Sequence, residues 1–253
     1  MKKIVVLLFV LLLTLPLFGC FQEDVVLDEI KTYQVSSEIH SLDISISAAD
    51  FTIEYGDTFG VESNLKYLSV SERNGVLTIV DKKTKGNRNY NNAKLTLYIP
   101  RDTVFDDVSI ETGAAKMTAE TLSTASLELK LGAGDVNIEQ LNVTSYADIE
   151  GGAGEITVSG GALNNLELEM GVGELNMTVA LLGNNDLNFG IGKSNLTVLG
   201  SKDDYRIDIE KGLGAVTIDG EKVTDFGTSG NGQHSLEIET GVGSVNLKFQ
   251  ENE

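Results

Sequence analysis

The chain has 253 residues, of which 38 are acidic and only 19 are basic, so its formal net charge at neutral pH is −19. This balance argues against nucleic acid as a partner, because phosphate backbones are bound by clusters of Lys and Arg. It also argues against electrostatic adhesion to anionic lipid, and a single cysteine leaves no intramolecular disulfide.

The N-terminus has the pattern of an export signal. Lys2 and Lys3 precede an apolar run, Ile4 to Phe18. This run is shorter than a membrane-spanning helix, which needs about 20 apolar residues. The end of the run, Leu17-Phe18-Gly19-Cys20, resembles the lipobox of bacterial lipoproteins, in which the cysteine carries diacylglycerol. We therefore predict a lipoprotein signal peptide over residues 1–19 and lipidation at Cys20, with the lipid as the membrane contact. The alternative is an ordinary cleaved signal followed by an unmodified thiol.

The next part of the chain has no clear repeat. Residues 20–28 are predicted to be a lipidated tether. Over residues 29–105, alternating segments such as Val76–Val80 and Leu95–Ile99 surround a polar stretch, Lys82 to Asn92. This pattern predicts irregular first coils of a β domain with a protruding loop.

Glycine-rich steps recur through the second half of the chain. Of the 27 glycines, 22 lie at or after Gly113. A Gly-x-Gly step recurs at intervals of 20, 19, 19, 22 and 29 residues, beginning at Gly132, Gly152, Gly171, Gly190, Gly212 and Gly241. Gly113-Ala114-Ala115 and Ser47-Ala48-Ala49 are degenerate copies. Such a fixed period is the signature of a repeat architecture.

Strand-like sequences flank each step. Apolar residues stand three and five positions before it, as Leu166 and Leu168 do, and two and four positions after it, as Leu175 and Met177 do. Strict alternation is the period of a strand with one buried face, and a helix would need a different spacing. The residue between the two later apolar positions is always Asn or Thr, which predicts hydrogen-bonded side-chain ladders between neighbouring coils.

Together these features predict an all-β fold, a single-stranded parallel β-helix (β-solenoid) of about 19–20 residues per coil, with right-handed winding favoured. Stacked coils bury a continuous apolar column, and glycine is needed where a Cβ would crowd the neighbouring coil. The solenoid domain spans residues 29–253, with Gly-x-Gly coils over residues 106–253. The stretch from Glu221 to His234 is predicted to be an insertion within the last coil. A meander or sandwich is the alternative architecture.

These coils resemble the bacterial putative-adhesin family of β-solenoid domains, which is related to the toast-rack domains of envelope proteins. The matching residues are Leu95 to Pro100, Val108 to Gly113 and the repeated glycine steps, so the resemblance covers about Leu42 to Phe249. It implies the architecture. A shared fold is not evidence of adhesion, and the resemblance supplies no catalytic residues.

Two acidic ladders are the candidate binding site. Stacking places outward residues four and two positions before each step in two rows, with neighbours about 5 Å apart. These rows are candidates for binding cations or a partner, but the favoured interpretation is that they only keep a flat β face soluble. The candidate residues are Glu128, Asp148, Glu167 and Asp186 in the first row and Glu150 and Glu169 in the second.

No catalytic or metal site is predicted, and no cofactor. His40 and His234 are isolated, so neither a His-based metal site nor a Ser-His-Asp triad can be assembled. The glycine steps lack the Asp ligand and the nine-residue period of a calcium β-roll. We therefore expect a non-enzymatic, adhesin-like interaction or structural module, exported and lipid-anchored in the cell envelope, whose partner is an envelope protein or polysaccharide. An envelope-stress signalling accessory and a carbohydrate-active enzyme on a β-helix are the alternatives.

Overall fold

The computed structural model describes residues 23–24, 27–36, 38–81, 88–89, 92–224 and 227–251, and this part of the chain is all-β. It contains no α-helix there, and one short 3₁₀ helix at Lys202–Asp204. The predicted signal peptide, Cys20 and most of the Lys82–Asn92 loop lie outside the described residues. The strands are β1 (Glu23–Asp24), β2 (Leu27–Gln34), β3 (Ser41–Ile46), β4 (Asp50–Gly56), β5 (Gly60–Leu65), β6 (Leu68–Arg73), β7 (Val76–Asp81), β8 (Arg88–Asn89), β9 (Lys94–Pro100), β10 (Phe105–Ala114), β11 (Lys116–Val158), β12 (Gly161–Asn164), β13 (Leu166–Leu182), β14 (Asn184–Leu199), β15 (Tyr205–Ile218), β16 (Glu221–Lys222), β17 (Gly227–Ser229) and β18 (His234–Gln250).

Each glycine step lies inside a continuous strand and changes which residues face the core. In β13 the buried side chains have even numbers up to Met170 and odd numbers from Leu175 onward. The shift occurs at Gly171-Val172-Gly173, where Gly173 has a φ of +155°. The step therefore acts as a bend between two half-buried segments. We call the segment before a step its leading limb and the segment after it its trailing limb.

Neighbouring limbs pair in parallel and in register, as the repeat predicted. Glu167 lies opposite Asp186, Gly173 opposite Gly192 and Met177 opposite Leu196. The same register joins β11 to β13 and β10 to β11. Because each limb turns alternate side chains inward, the Leu, Ile, Val and Met residues of successive limbs form one continuous core. Fully burying each such side chain stabilises the fold by about 1.5–3 kcal/mol.

The Asn and Thr residues of the trailing limbs form a hydrogen-bonded ladder, which confirms the predicted side-chain stacking. Asn195 Nδ2 donates to Asn176 Oδ1 at 2.7 Å, and Asn246 Nδ2 donates to Asn195 Oδ1 at 3.0 Å. Thr217 Oγ1 then donates to Asn246 Oδ1 at 3.0 Å. At the other end, Asn176 donates to Glu155. The ladder fixes the register of four trailing limbs.

Antiparallel strands close the N-terminal end of the stack. β6 and β7 form a hairpin through Asn74 and Gly75, both with positive φ, as a tight two-residue turn requires. β2 pairs with β5, and β5 pairs with β9. The irregular segment expected over residues 29–105 therefore includes an antiparallel cap, which covers edges that would otherwise be free to pair.

The C-terminal end departs from chain order. β18 lies between β14 and β15 and pairs in parallel with both. The sequence predicted an insertion from Glu221 to His234 within the last coil, but it did not predict that this stretch places the following limb, β18, in an inner position. This stretch supplies β16 and β17, which pair antiparallel with the outer edge of β15, and it carries the chain around that edge to the inner position of β18. The 29-residue interval between Gly212 and Gly241 provides the length for this detour.

Candidate binding groove

The first acidic row lies on the outer face of the leading limbs. Asp148 is opposite Glu167, Glu167 is opposite Asp186, and Asp186 is opposite Glu237. Glu128 belongs to the same row one limb earlier, where Ser109 Oγ donates to its Oε2 atom at 2.9 Å. All four predicted residues of this row are thus brought together. Glu237, which belongs to β18, stands four positions before its glycine step, but its place beside Asp186 was not predicted.

The second row lies two residues farther along each limb. Glu150 is opposite Glu169, Glu169 is opposite Asn188, and Asn188 is opposite Glu239. Beyond Glu239 the outermost limb adds Glu210. From Glu111 to Glu210, only Lys130 and Asn188 interrupt the carboxylates of this row.

Lys130 places a cation between the two rows. Its Nζ atom lies 2.8 Å from Glu128 Oε1 and 3.4 Å from Glu150 Oε1. The hydrogen bonds from Lys130 and Ser109 lower the pKa of Glu128, and the same ion pair raises the pKa of Lys130. Because these side chains are more than a third exposed, solvent screens the pair and its contribution to stability is small. The contact nevertheless indicates how an ammonium group is held by this face.

Farther along, the carboxylates repel one another. Burial, followed by the negative charges of Glu150 and Glu167, raises the pKa of Asp148. Tyr146 donates a 2.6 Å hydrogen bond to Glu167 Oε2, and this bond raises the pKa of Tyr146 to about 12. Within the described ranges, no group of three or more His, Cys, Asp or Glu side chains is arranged to hold a metal ion. The rows thus offer dispersed negative charge instead of a compact chelating site.

An open groove of about 1020 Å³ runs beside the second row and crosses six limbs. Its lining consists, at each limb, of the row residue, the residue after it and the first glycine of the step. We call this feature the groove. The row residues that line it are Glu111, Lys130, Glu150, Glu169, Asn188 and Glu239.

An exposed apolar ridge follows the groove at the middle positions of the glycine steps. Val172, Ile191, Val242 and Leu213 are neighbours in that order and are 53%, 55%, 48% and 75% exposed. We call these four residues the apolar ridge. Sequence reasoning missed it, although its signal is present: the middle residue changes from Ala at positions 133 and 153 to larger side chains in the later steps.

The two histidines make hydrogen bonds and packing contacts within the fold. His234 Nδ1 accepts a hydrogen bond from the Gly183 backbone N–H at 3.0 Å, and its ring packs against Tyr205 at 5.6 Å between centroids. His40 joins the N-terminal cap, where its backbone N–H donates to the Gly75 carbonyl. The two residues therefore belong to opposite ends of the stack.

No helix in the described part of the chain is long and apolar enough to cross a membrane. No curated protein matches this chain. Among solved structures, a "putative adhesin" from Bacteroides fragilis is similar, with 15% identity, a TM-score of 0.52, and coverage of 86% of this chain and 95% of that one. A "putative cell adhesion protein" from Clostridium sporogenes has 15% identity and a TM-score of 0.31, with coverage of 88% and 99%.

The first of these similarities concerns the fold alone, and it agrees with the all-β, open-sheet architecture. A family model gives the more extensive match. The Toastrack DUF4097 model matches residues 39–252, which include every glycine step, both acidic rows and the apolar ridge. The chain therefore belongs to the Toastrack DUF4097 family.

Proposed function

We propose that the protein is a non-enzymatic, adhesin-like interaction module, anchored by lipid in the bacterial cell envelope. The observation that carries this proposal is the groove with its bordering apolar ridge. A continuous open groove across six limbs suits an elongated partner better than a small substrate, which is normally bound in an enclosed pocket. Exposed apolar side chains in a row are also typical of interaction sites.

The domain organisation that we propose follows the sequence. Residues 1–19 are a lipoprotein signal peptide, residues 20–28 a tether from Cys20 that contains β1 and the first two residues of β2, and residues 29–253 the β domain. The parallel registers support the finer interpretation of this domain as a β-solenoid of 19–20 residues per coil, for which we propose right-handed winding. β18 lies out of chain order between β14 and β15, and β3 and β4 lie out of chain order between the β7/β9 and β10/β11 limbs. The lipid then lies at the end capped by β2 and β5.

This arrangement gives the module a polarity. β2 and β15 stand at opposite ends of the pairing order, and strand spacings of about 4.8 Å separate them by roughly 50 Å. A chain anchored at Cys20 would therefore hold β15 far from the membrane. The largest and most exposed ridge residue, Leu213, belongs to that distal strand. The partner that we propose is an envelope protein or polysaccharide that reaches this end.

The carbohydrate-active alternative makes a different prediction about the carboxylates. A hydrolase needs two carboxyl groups with different environments, one acidic and one basic. Here the carboxylates repeat in register on an open face. Incubating the mature protein with peptidoglycan and surface polysaccharides should release no product, and reproducible release would overturn the non-enzymatic assignment.

Site-specific cross-linking in living cells tests the interaction role. A photoreactive amino acid replaces Ile191 on the apolar ridge, which is 55% exposed, or, as a matched control, Ile30 on the antiparallel cap, which is 60% exposed. We expect discrete cross-linked products from position 191 only. An absence of products from position 191, or the same products from both positions, would contradict a partner-binding role for the groove.

A further inference from the structure

The apolar ridge and the second acidic row run side by side along the stack. Each limb from β13 outward contributes one exposed apolar residue to the ridge and one polar residue to the row, as β13 does with Val172 and Glu169. The two are three positions apart in sequence, and the first glycine of the step lies between them. The surface therefore offers parallel apolar and acidic stripes that repeat once per limb.

The charge of this surface selects among possible occupants. A second copy of a chain with net charge −19 would bring two acidic rows together. An anionic membrane surface would be repelled for the same reason. The ion pairs that Lys130 makes with Glu128 and Glu150 show that a primary ammonium group fits against the rows. A cationic partner with an apolar stripe is complementary to both features.

The spacing of the stripes selects the conformation of the partner. Neighbouring limbs lie about 4.8 Å apart, so ligand side chains must repeat at that distance along the groove. On an α-helix, residues three or four apart lie on one face and rise about 4.5–6 Å, which matches this repeat. On an extended strand, residues on one face are about 6.6 Å apart and fall out of step after two limbs.

From these observations we propose that the groove and the apolar ridge bind a basic amphipathic α-helix of a partner protein, lying across the limbs with its apolar stripe on Val172, Ile191, Val242 and Leu213. Its Lys or Arg residues face Glu169, Glu239 and Glu210. This is the helix-in-groove mode of recognition. The inference rests on the proposed interaction role and specifies the partner for it.

The test uses residues 20–253 with Cys20→Ser, which keeps every described residue and removes the lipid that would itself attract such peptides. The probe is a fluorescent 18-residue peptide of Leu and Lys with its Leu residues on one helical face. Control peptides are a scramble of the same composition and a Leu/Glu counterpart. Fluorescence anisotropy gives the Kd of each. We expect the scramble to bind roughly tenfold more weakly and the Glu peptide not to bind.

Protein variants separate the two stripes. Leu213→Ser and Ile191→Ser should each weaken binding of the Leu/Lys peptide about tenfold, because each removes an apolar side chain that the Leu residues of the helix would bury. Glu239→Gln should weaken it several-fold and reduce its salt dependence. Ile30→Ser and Glu139→Gln, exposed but outside the groove, are the matched controls and should change nothing.

Two results would overturn the inference. One is equal affinity for the amphipathic and scrambled peptides. The other is a response to Glu239→Gln without any response to the two ridge variants, which would indicate charge attraction only. Either result could coexist with specific cross-links from Ile191 in cells, so the failure of this inference is distinguishable from the failure of the proposed function.

Discussion

At the scale of single residues, the second glycine of each step is the most constrained position. Gly173 has a φ of +155°, and a Cβ at this position would strike the backbone carbonyl of Gly154 in the neighbouring limb. Backbone on both sides is held by parallel pairing, so it has little room to move. Gly173→Ala therefore combines strain with a clash, and we expect a loss of at least about 3 kcal/mol in the free energy of unfolding.

Gly220 provides the matched control. It also has a positive φ, +84°, but a Cβ there would meet nothing within 4 Å. Gly220→Ala should thus cost only the conformational strain, about 1–2 kcal/mol. The measurement is the urea midpoint by far-UV circular dichroism. Equal losses from the two substitutions would mean that the limb-to-limb clash contributes nothing.

Asp148 makes a prediction about pH. Its pKa in the folded chain is raised by burial and by Glu150 and Glu167 above the value of 3.8 expected when unfolded. The folded state then binds the proton more tightly, so the contribution of Asp148 to stability falls as pH rises from 3.8 through the folded pKa. Asp148→Asn should therefore raise the Tm at neutral pH, and the gain should shrink as the pH approaches 3.8.

Glu128 supplies the control of opposite sign. Hydrogen bonds from Lys130 and Ser109 lower its pKa, so its stabilising contribution is present above its unfolded pKa and is lost at lower pH. Glu128→Gln should lower the Tm at neutral pH, if only slightly because the site is exposed. A Tm shift in the same direction for both variants would show that the rows act only through total charge.

At the scale of elements, the limbs were predictable because each one carries its own alternation and its own glycine step. The parallel register followed from the interval of 19–20 residues. The position of β18 was not predictable, since the steps at Gly212 and Gly241 have the same local pattern and either one could lie next to β14. β16 and β17 occupy the outer edge of β15 and so leave its inner edge for β18. In the sequence their few pairing residues resemble an ordinary loop.

The candidate site also has a part that the sequence predicted and a part that it did not. The six predicted carboxylates share one face because their spacing from each step is fixed. The neighbours of Asp186 and Asn188 depend on β18, so Glu237 and Glu239 were not assigned to those places. The apolar ridge was not predicted because the alternating pattern breaks at the glycine step, so the sequence does not indicate which way the residue between the two glycines faces. Its exposure results from the bend, which turns the middle residue of each step away from the core.

The inserted β18 should be indispensable for folding of the C-terminal end. It buries Leu236, Ile238, Val245 and Leu247 and is the parallel partner of β14 and β15. Losing four buried apolar side chains removes about 6–12 kcal/mol, comparable with the total stability of a domain. A chain ending before His234 should aggregate or lose its strand signal in size-exclusion chromatography and circular dichroism.

A chain ending at Gln250 is the control for that truncation and should keep the Tm of the full chain, because it retains all of β18. A soluble monomer with an unchanged Tm after removal of β18 would contradict the structural role given to the insertion. It would also imply that β15 could pair directly with β14, as the order of the sequence first suggested.

At the scale of the whole molecule, one covalent attachment should decide where the stack is held. Cys20 precedes every described residue, so Cys20→Ser should leave the Tm unchanged while removing the acyl chains, whose buried methylenes contribute about 0.8 kcal/mol each to membrane binding. We expect the wild-type protein in the membrane pellet with a lipid-modified N-terminus by mass spectrometry, and the variant without the modification. Lipid on both proteins, or on neither, would contradict anchoring at Cys20.

The acidic surface offers no electrostatic substitute for the lipid. Retention of the unmodified variant in the membrane pellet would therefore require residues 1–19 to remain uncleaved and to hold the chain at the membrane. An antibody to the N-terminal peptide separates that case from true lipid anchoring.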